Sequence, residues 1–151
     1  MTIRHLLVCV DFSPLTAAVV EQGVAIARAT GAHVRLLHVA APDPDFVGYG
    51  VGPESVRDAV AHELRTEHRV LAELAERFRA VDVPVTPLMV QGPILGTIVE
   101  QARRFAADLV VLGDTGHRMH HLLAGSIAQR VLHDACVPVL LVPSPRFATA
   151  V

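Results

Sequence analysis

Five short runs of nearly unbroken aliphatic residues, separated by stretches long enough for helices, constrain this chain more than any other feature. The runs are Leu6–Val10, Val34–Val39, Val83–Val90, Asp108–Leu112 and Val137–Val142. A strand with one wet face alternates apolar and polar residues, whereas one covered on both faces is continuously apolar. Strands of the second kind belong to parallel sheets, whose connections are crossover helices. Right-handed crossovers then leave few topologies. The expectation is an α/β fold, a doubly wound five-stranded parallel sheet of flavodoxin-like or Rossmann-like type, with order 3-2-1-4-5. Its 151 residues form a single domain with no linker or internal repeat.

The intervening stretches carry helix signals. Ser13-Pro14 reads as an N-cap followed by a first-turn proline, and Thr30-Gly31 as a glycine C-cap. Residues from Glu54 to about Val81 place Val56, Val60, Leu64, Leu71, Leu74 and Phe78 on one face. Their other face carries Glu73–Arg77 at a favourable four-residue step. Gly92-Pro93 opens a helix through Ile94, Ile98, Ala102 and Phe105, and a last one runs from about Ser126 to Asp134. Pro84 and Pro87 put the third strand at a sheet edge. Residues 40–53 have no period and form a long loop. Aromatics are 4% of a chain that is 52% hydrophobic, so the core is aliphatic.

The order 3-2-1-4-5 puts the topological switch between the first and fourth strands, and ligands of such sheets bind outside those carboxyl ends. There the sequence carries Asp11-Phe12-Ser13 and Gly113-Asp-Thr-Gly116, with Gly125-Ser126 opening the last helix. Strand, glycine-punctuated loop and helix start is an arrangement that takes phosphate: glycines admit an anion close to the backbone, and free amides face it. Asp11 and Ser126 also serve as plain caps, and the glycines as plain turns, in the competing structural reading.

Other chemistry is scarce. A net charge of −2 offers no footprint for nucleic acid or an anionic membrane. All 13 basic residues are Arg, which removes the Walker lysine, the Schiff-base lysine and the receiver-domain lysine. No Gly-x-Ser-x-Gly occurs. Cys9 and Cys136 lack metal-ligand spacing and read as buried thiols in a reducing compartment. The opening residues read as a strand and no apolar run reaches membrane-spanning length, so a cytoplasmic protein is expected. His117, His120 and His121 remain open between an exposed loop, phosphate contacts and a metal. His38 reads as a hydrogen-bonded core histidine, and His5, His33, His62, His68 and His133 as structural.

On Leu7-Val-Cys-Val-Asp11-Phe-Ser13, Leu37-His-Val39, Ala107-Asp-Leu-Val-Val-Leu-Gly113, Gly125-Ser126-Ile-Ala-Gln-Arg-Val-Leu132 and Cys136-Val-Pro-Val-Leu140, the sequence resembles the universal stress protein family over essentially its whole length. The resemblance implies a five-stranded α/β fold, pairing of two copies and, in one branch, a bound ATP. That branch carries Gly-x-x-Gly, nine residues, then Gly-Ser or Gly-Thr. Gly113 and Gly116 match the first pair and Gly125-Ser126 the last, with only eight residues, His117–Ala124, between them. By resemblance, Asp11 lies at the ribose and adenine side, the Val39 backbone meets the adenine edge, and Ser13 is among the nucleotide-binding residues. Gly113, Gly116, Gly125, Ser126 and Ile127 hold the phosphates. Asp11 and Asp114 are two carboxylates through which a nucleotide-borne magnesium ion could be held.

The favoured expectation is a nucleotide-responsive regulatory module of the stress response, with at most slow ATP hydrolysis and no catalytic residues. A stress protein that binds no nucleotide and acts by protein–protein interaction is the alternative. An enzyme of a related nucleotide fold is a third reading. It lacks the Ser-Gly-Gly loop after the first strand, where Asp11-Phe-Ser-Pro stands. A homodimer is expected through the last strand, because an apolar edge left bare invites aggregation. The resemblance implies pairing there with Val139, Leu141 and their neighbours in contact, and the alternative is an edge shielded by the tail.

Overall fold

The computed structural model describes residues 1–40, 54–114 and 126–144, with side chains of 126–129 excepted. Nine elements alternate: β1 (His5–Val10), α1 (Thr16–Thr30), β2 (His33–Ala40), α2 (Glu54–Arg79), β3 (Val85–Gln91), α3 (Ile94–Arg104), β4 (Leu109–Asp114), α4 (Ser126–Ala135) and β5 (Val139–Pro143). The strands form one sheet in the order β3-β2-β1-β4-β5, and every pairing is parallel. This is the expected doubly wound topology. The proline-bearing β3 sits at one edge, where its missing N–H groups cost no ladder bond.

The continuous apolar runs are explained by helices on both faces. Leu6, Val8, Val34, Leu36, Leu109 and Val111 point to one side, beneath α1 and α2. Leu7, Leu37, Val110 and Leu112 point to the other, beneath α3 and α4. On the first side Phe78 of α2 is fully buried and is the largest such side chain. Contact between α1 and the sheet is close because Gly23 faces it. A Cβ at Gly23 would lie 2.9 Å from Val8 Cγ2 and 3.3 Å from Phe78 Cζ.

Several boundaries differ from the sequence expectation, for identifiable reasons. The second helix stops at Arg79, before Val81, because Asp82 takes a left-handed φ of 59° and the Val83 amide bonds back to the Phe78 carbonyl. The third closes in the same way, with Ala106 at φ 50° and the Ala107 amide on the Ala102 carbonyl. Cys136, just past α4, has φ 52°. Only α1 ends on the expected glycine, Gly31, at φ 73°. Side chains at left-handed helix ends give no warning in sequence, since glycine is the usual occupant.

Two expectations about single residues are corrected. Cys136 is exposed, not buried, and its Sγ–H donates to the His133 carbonyl at 3.3 Å. The left-handed turn after α4 carries it outward. Arg77 pairs with Glu21 of α1 at 4.0 Å rather than with Glu73, because α1 packs alongside α2. Both cysteines are free, and burial pushes the Cys9 thiol up to about 12. His5 and His33 sit in register at the start of β1 and β2, both against the Phe105 ring, over which Arg35 also lies at 4.3 Å.

Substitution of Gly23 by Ala should destabilise the protein by about 1–2 kcal/mol in urea melts. A Cβ 2.9 Å from a buried side chain costs about 2–3 kcal/mol in overpacking, more than the gain of about 1 kcal/mol in helix propensity. A Gly23→Ala protein as stable as the parent would contradict the packing described. At the sheet's other end, Asp108 Oδ2 accepts the Arg4 and His5 amides at 2.8 and 2.9 Å, tying β1 to the start of β4. These two bonds hold its carboxyl below the usual carboxylate range. A lowered folded value means its contribution is complete above the unfolded value of about 4 and lost as pH falls through the folded one. Asp108→Asn should therefore flatten the loss of stability at acid pH, read as urea midpoints from pH 7 to pH 2. Parallel curves for parent and variant would remove Asp108 from the account.

Candidate nucleotide site

The carboxyl ends of β1 and β4 lie side by side at the centre of the sheet, and the chain leaves them in opposite directions, β1 into α1 and β4 towards α4. Beyond β1 the backbone makes a short tight turn. Asp11 Oδ1 accepts the Ser13 amide at 3.0 Å, a local closure that Asp makes readily. Ser13 Oγ then accepts the Leu15 amide at 3.2 Å, and the Ser13 carbonyl accepts the Thr16 amide at 3.0 Å. Ser13 was expected to cap the helix directly. It caps instead the turn in front of it, and Leu15 occupies the N-cap position without any side-chain bond. Pro14, which cannot donate, falls inside this turn.

Asp11 is exposed, with one carboxylate oxygen committed to the turn. Val39 is half-buried near the end of β2, on the α3 and α4 side, in register with Val90. Gly113 belongs to β4 rather than to the loop after it, paired with Val142 of β5 as Asp114 is with Pro143. The strand is thus longer than the apolar run that marks it. A Cβ on Gly113 would meet Leu15 Cδ2 and Val19 Cγ2, both at 3.1 Å. The space of the missing side chain is taken up by α1, a role that the glycine pattern along the chain does not signal. Ser126 and Ile127 open α4. Gly116, Gly125 and the three histidines 117, 120 and 121 lie outside the described residues, as does the segment 41–53.

Of the sequence-predicted positions, Asp11, Ser13, Val39 and Gly113 therefore come to the same end of the sheet, on neighbouring strands β2, β1 and β4. The described part of this mouth carries two carboxylates, Asp11 and Asp114, and no arginine at residues 11–13, 39–40 or 113–114. These carboxylates offer an anion no counter-charge.

Sequence reasoning missed Phe12 as a functional candidate and saw only half of His38. Phe12 stands in the turn at φ 58°, a left-handed conformation that strains an aromatic residue by about 1–2 kcal/mol. Its ring stacks on His38 of β2, with centroids 4.0 Å apart and planes at 25°. His38 is buried and hydrogen-bonded through Nδ1 to the Val10 carbonyl at 2.8 Å, as a core histidine was expected to be. Its Nε2 is also buried, makes no hydrogen bond, and lies 3.6 Å from Glu67 Oε2 of α2. The two form an ion pair only when one proton lies between them. A polar residue in a doubly buried strand was the available signal, since such a group requires a partner.

Comparisons with known proteins bear on the family and on the fold. Residues 2–143 match the model of the universal stress protein family. Universal stress protein A homolog 1 of Coxiella burnetii is 31% identical over 143 residues, spanning 94% of this chain and 97% of that one. Among solved structures, the protein MJ0577 superposes with a TM-score of 0.76 at 21% identity, over 95% of this chain and 98% of that one. A universal stress protein crystallised in complex with cAMP superposes with a TM-score of 0.65 at 22% identity, over 94% and 98%. At these identities the two structures bear on the fold, while the family match spans both strand ends and the start of α4. The chain belongs to the universal stress protein family.

Proposed function

We propose that this chain is an adenine-nucleotide-binding regulatory module, taking ATP, with or without magnesium, at the mouth between β1 and β4. One observation carries the reading: Asp11, Ser13, Val39 and Gly113, far apart in sequence, gather at the carboxyl ends of three adjacent strands. That is the crevice in which doubly wound sheets bind ligands. The cAMP complex of a structural neighbour supports a nucleotide of the adenine class. Asp11 keeps one carboxylate oxygen outside its turn bond for a ribose hydroxyl. Gly113, Gly116, Gly125, Ser126 and Ile127 supply the phosphate end. A magnesium ion would arrive on the nucleotide, with Asp11 and Asp114 as the carboxylates proposed to hold it.

Binding without committed catalysis fits the residues. Phosphoryl transfer relies on a cation over the phosphates and a positioned base, and the mouth's described side chains bring carboxylates instead. The role proposed is regulation by occupancy. Two free thiols suit a reducing, cytoplasmic setting. A second copy is the proposed partner of β5: the strand is a sheet edge, and Leu140 and Leu141 are 36% and 40% exposed there. Val139, expected among the contacts, is partly buried against α3 and α4, so Leu140 and Leu141 would lead them. Pairing would cover the unsatisfied edge.

Protein purified without added nucleotide and then denatured should release ATP or ADP at close to one per chain, read by mass spectrometry. Stripped protein should melt higher in millimolar ATP. An empty protein whose melting ignores millimolar ATP would overturn the reading in favour of a family member acting by protein contact alone. Rapid turnover of ATP onto a defined acceptor would overturn it in favour of an enzyme. Light scattering should give twice the chain mass, and Leu141→Arg should halve it; a parent protein of single-chain mass would remove the proposed pairing.

A further inference from the structure

Among the described residues, His38 is the buried titratable side chain closest in the chain to the candidate site, and the nucleotide reading gives it no task. It is 5% exposed and lies one residue before Val39, in register with Val10 at the end of β1. Its ring reaches across to the neighbouring strand, where Nδ1 lies 2.8 Å from the Val10 carbonyl oxygen. A carbonyl only accepts, so Nδ1 carries the proton and donates it. The opposite nitrogen, Nε2, has no hydrogen bond. The ring's one bond is therefore spent on the last carbonyl before the Asp11-Phe12-Ser13 turn.

The second contact falls on the middle of that turn. Phe12 lies over the His38 ring at 4.0 Å, and its φ of 58° is one that a side chain as large as phenylalanine rarely adopts. Conformations of this kind persist where surrounding contacts over-determine them. Here one imidazole supplies two: a hydrogen bond to the residue before Asp11 and a stacking plane for the residue after it. Asp11 closes the turn by accepting the Ser13 amide. Its carboxylate thus stands between two residues pinned from the neighbouring strand.

We propose that His38 is a positioning residue of the candidate nucleotide site: the Nδ1–H bond to Val10 and the ring stack on Phe12 hold the left-handed turn that aims Asp11 at its ligand. This rests on the nucleotide reading for its functional half. A ring without a donor would keep the stack and lose the bond. A donor without a ring would do the reverse. Histidine combines both at this depth, whereas a residue needed only to fill space would be replaceable by phenylalanine.

The test compares the parent with His38→Phe and His38→Asn in two readouts: the amide resonances of Phe12 and Ser13 without ligand, and the affinity for ATP. If the ring only fills space, His38→Phe should match the parent and His38→Asn should be the worse. If it positions the turn, His38→Phe should shift the Phe12 and Ser13 amides and weaken ATP about tenfold, the scale of one hydrogen bond. His38→Asn, with its side-chain N–H placed to reach Val10, should recover part of that loss. Unmoved turn amides in His38→Phe overturn the proposal, whatever ATP does. Moved amides in a chain whose parent form ignores ATP overturn the nucleotide reading and leave the tether of the turn standing. Should the variants fail to fold, imidazole nitrogen resonances of the parent decide alone: a proton on Nδ1 upholds the bond to Val10, and the Nε2–H tautomer overturns it.

Discussion

Close contact between α1 and the face of the sheet is the constraint on which the candidate site depends. Two glycines permit it from opposite partners: Gly23 on the helix receives Val8 and Phe78, and Gly113 on β4 receives Leu15 and Val19. Protein interiors are packed densely enough that a single added carbon is felt. With α1 drawn this near, its first turn falls directly after the Asp11-Phe12-Ser13 turn and against the end of β4. The end of β4 thereby rests on Leu15 and Val19 at the start of α1. Gly113 would matter even in a relative that bound no ligand, because its first task is to admit the helix.

Strain and its restraint meet at the same end of the sheet. Of the described non-glycine residues with positive φ, Asp82 and Ala106 sit where α2 and α3 stop and Cys136 where α4 stops, the usual place for such backbone. Phe12 is different, because it lies between a strand and a helix and carries an aromatic ring. A buried histidine bonded to the neighbouring carbonyl and stacked on that ring accounts for its persistence. The opposite end of the sheet is arranged otherwise. There Asp108 accepts two backbone amides and Phe105 lies among His5, His33 and Arg35, contacts that secure the strand starts.

Legibility varied with the range of the interaction. Strands covered on both faces announce themselves by continuous apolarity, so β1 and β2 were read to within a residue at either end. Pro84 and Pro87 marked the edge because a missing donor is a local property. Helix ends were read where glycine closed them, at Gly31, and overrun at Val81, where Asp82 took the left-handed position without a glycine to signal it. Four of the eight site positions, Asp11, Ser13, Val39 and Gly113, gather as the topology required. Their local roles were less visible. Ser13 caps a turn instead of a helix, and Gly113 lies within a strand against α1.

The amino-acid order alone determined the α/β class, the parallel sheet with its strand order, and the family, since periodicity, turn residues and motif spacing are properties of the chain read in one dimension. Tertiary structure decided which atom each side chain serves. That Gly113 admits a helix, that Arg77 reaches Glu21 instead of Glu73, and that His38 grips Val10 and Phe12 are contacts between segments apart in sequence. Such contacts depend on distances of a few tenths of an ångström set by packing, and no pattern along the chain encodes them.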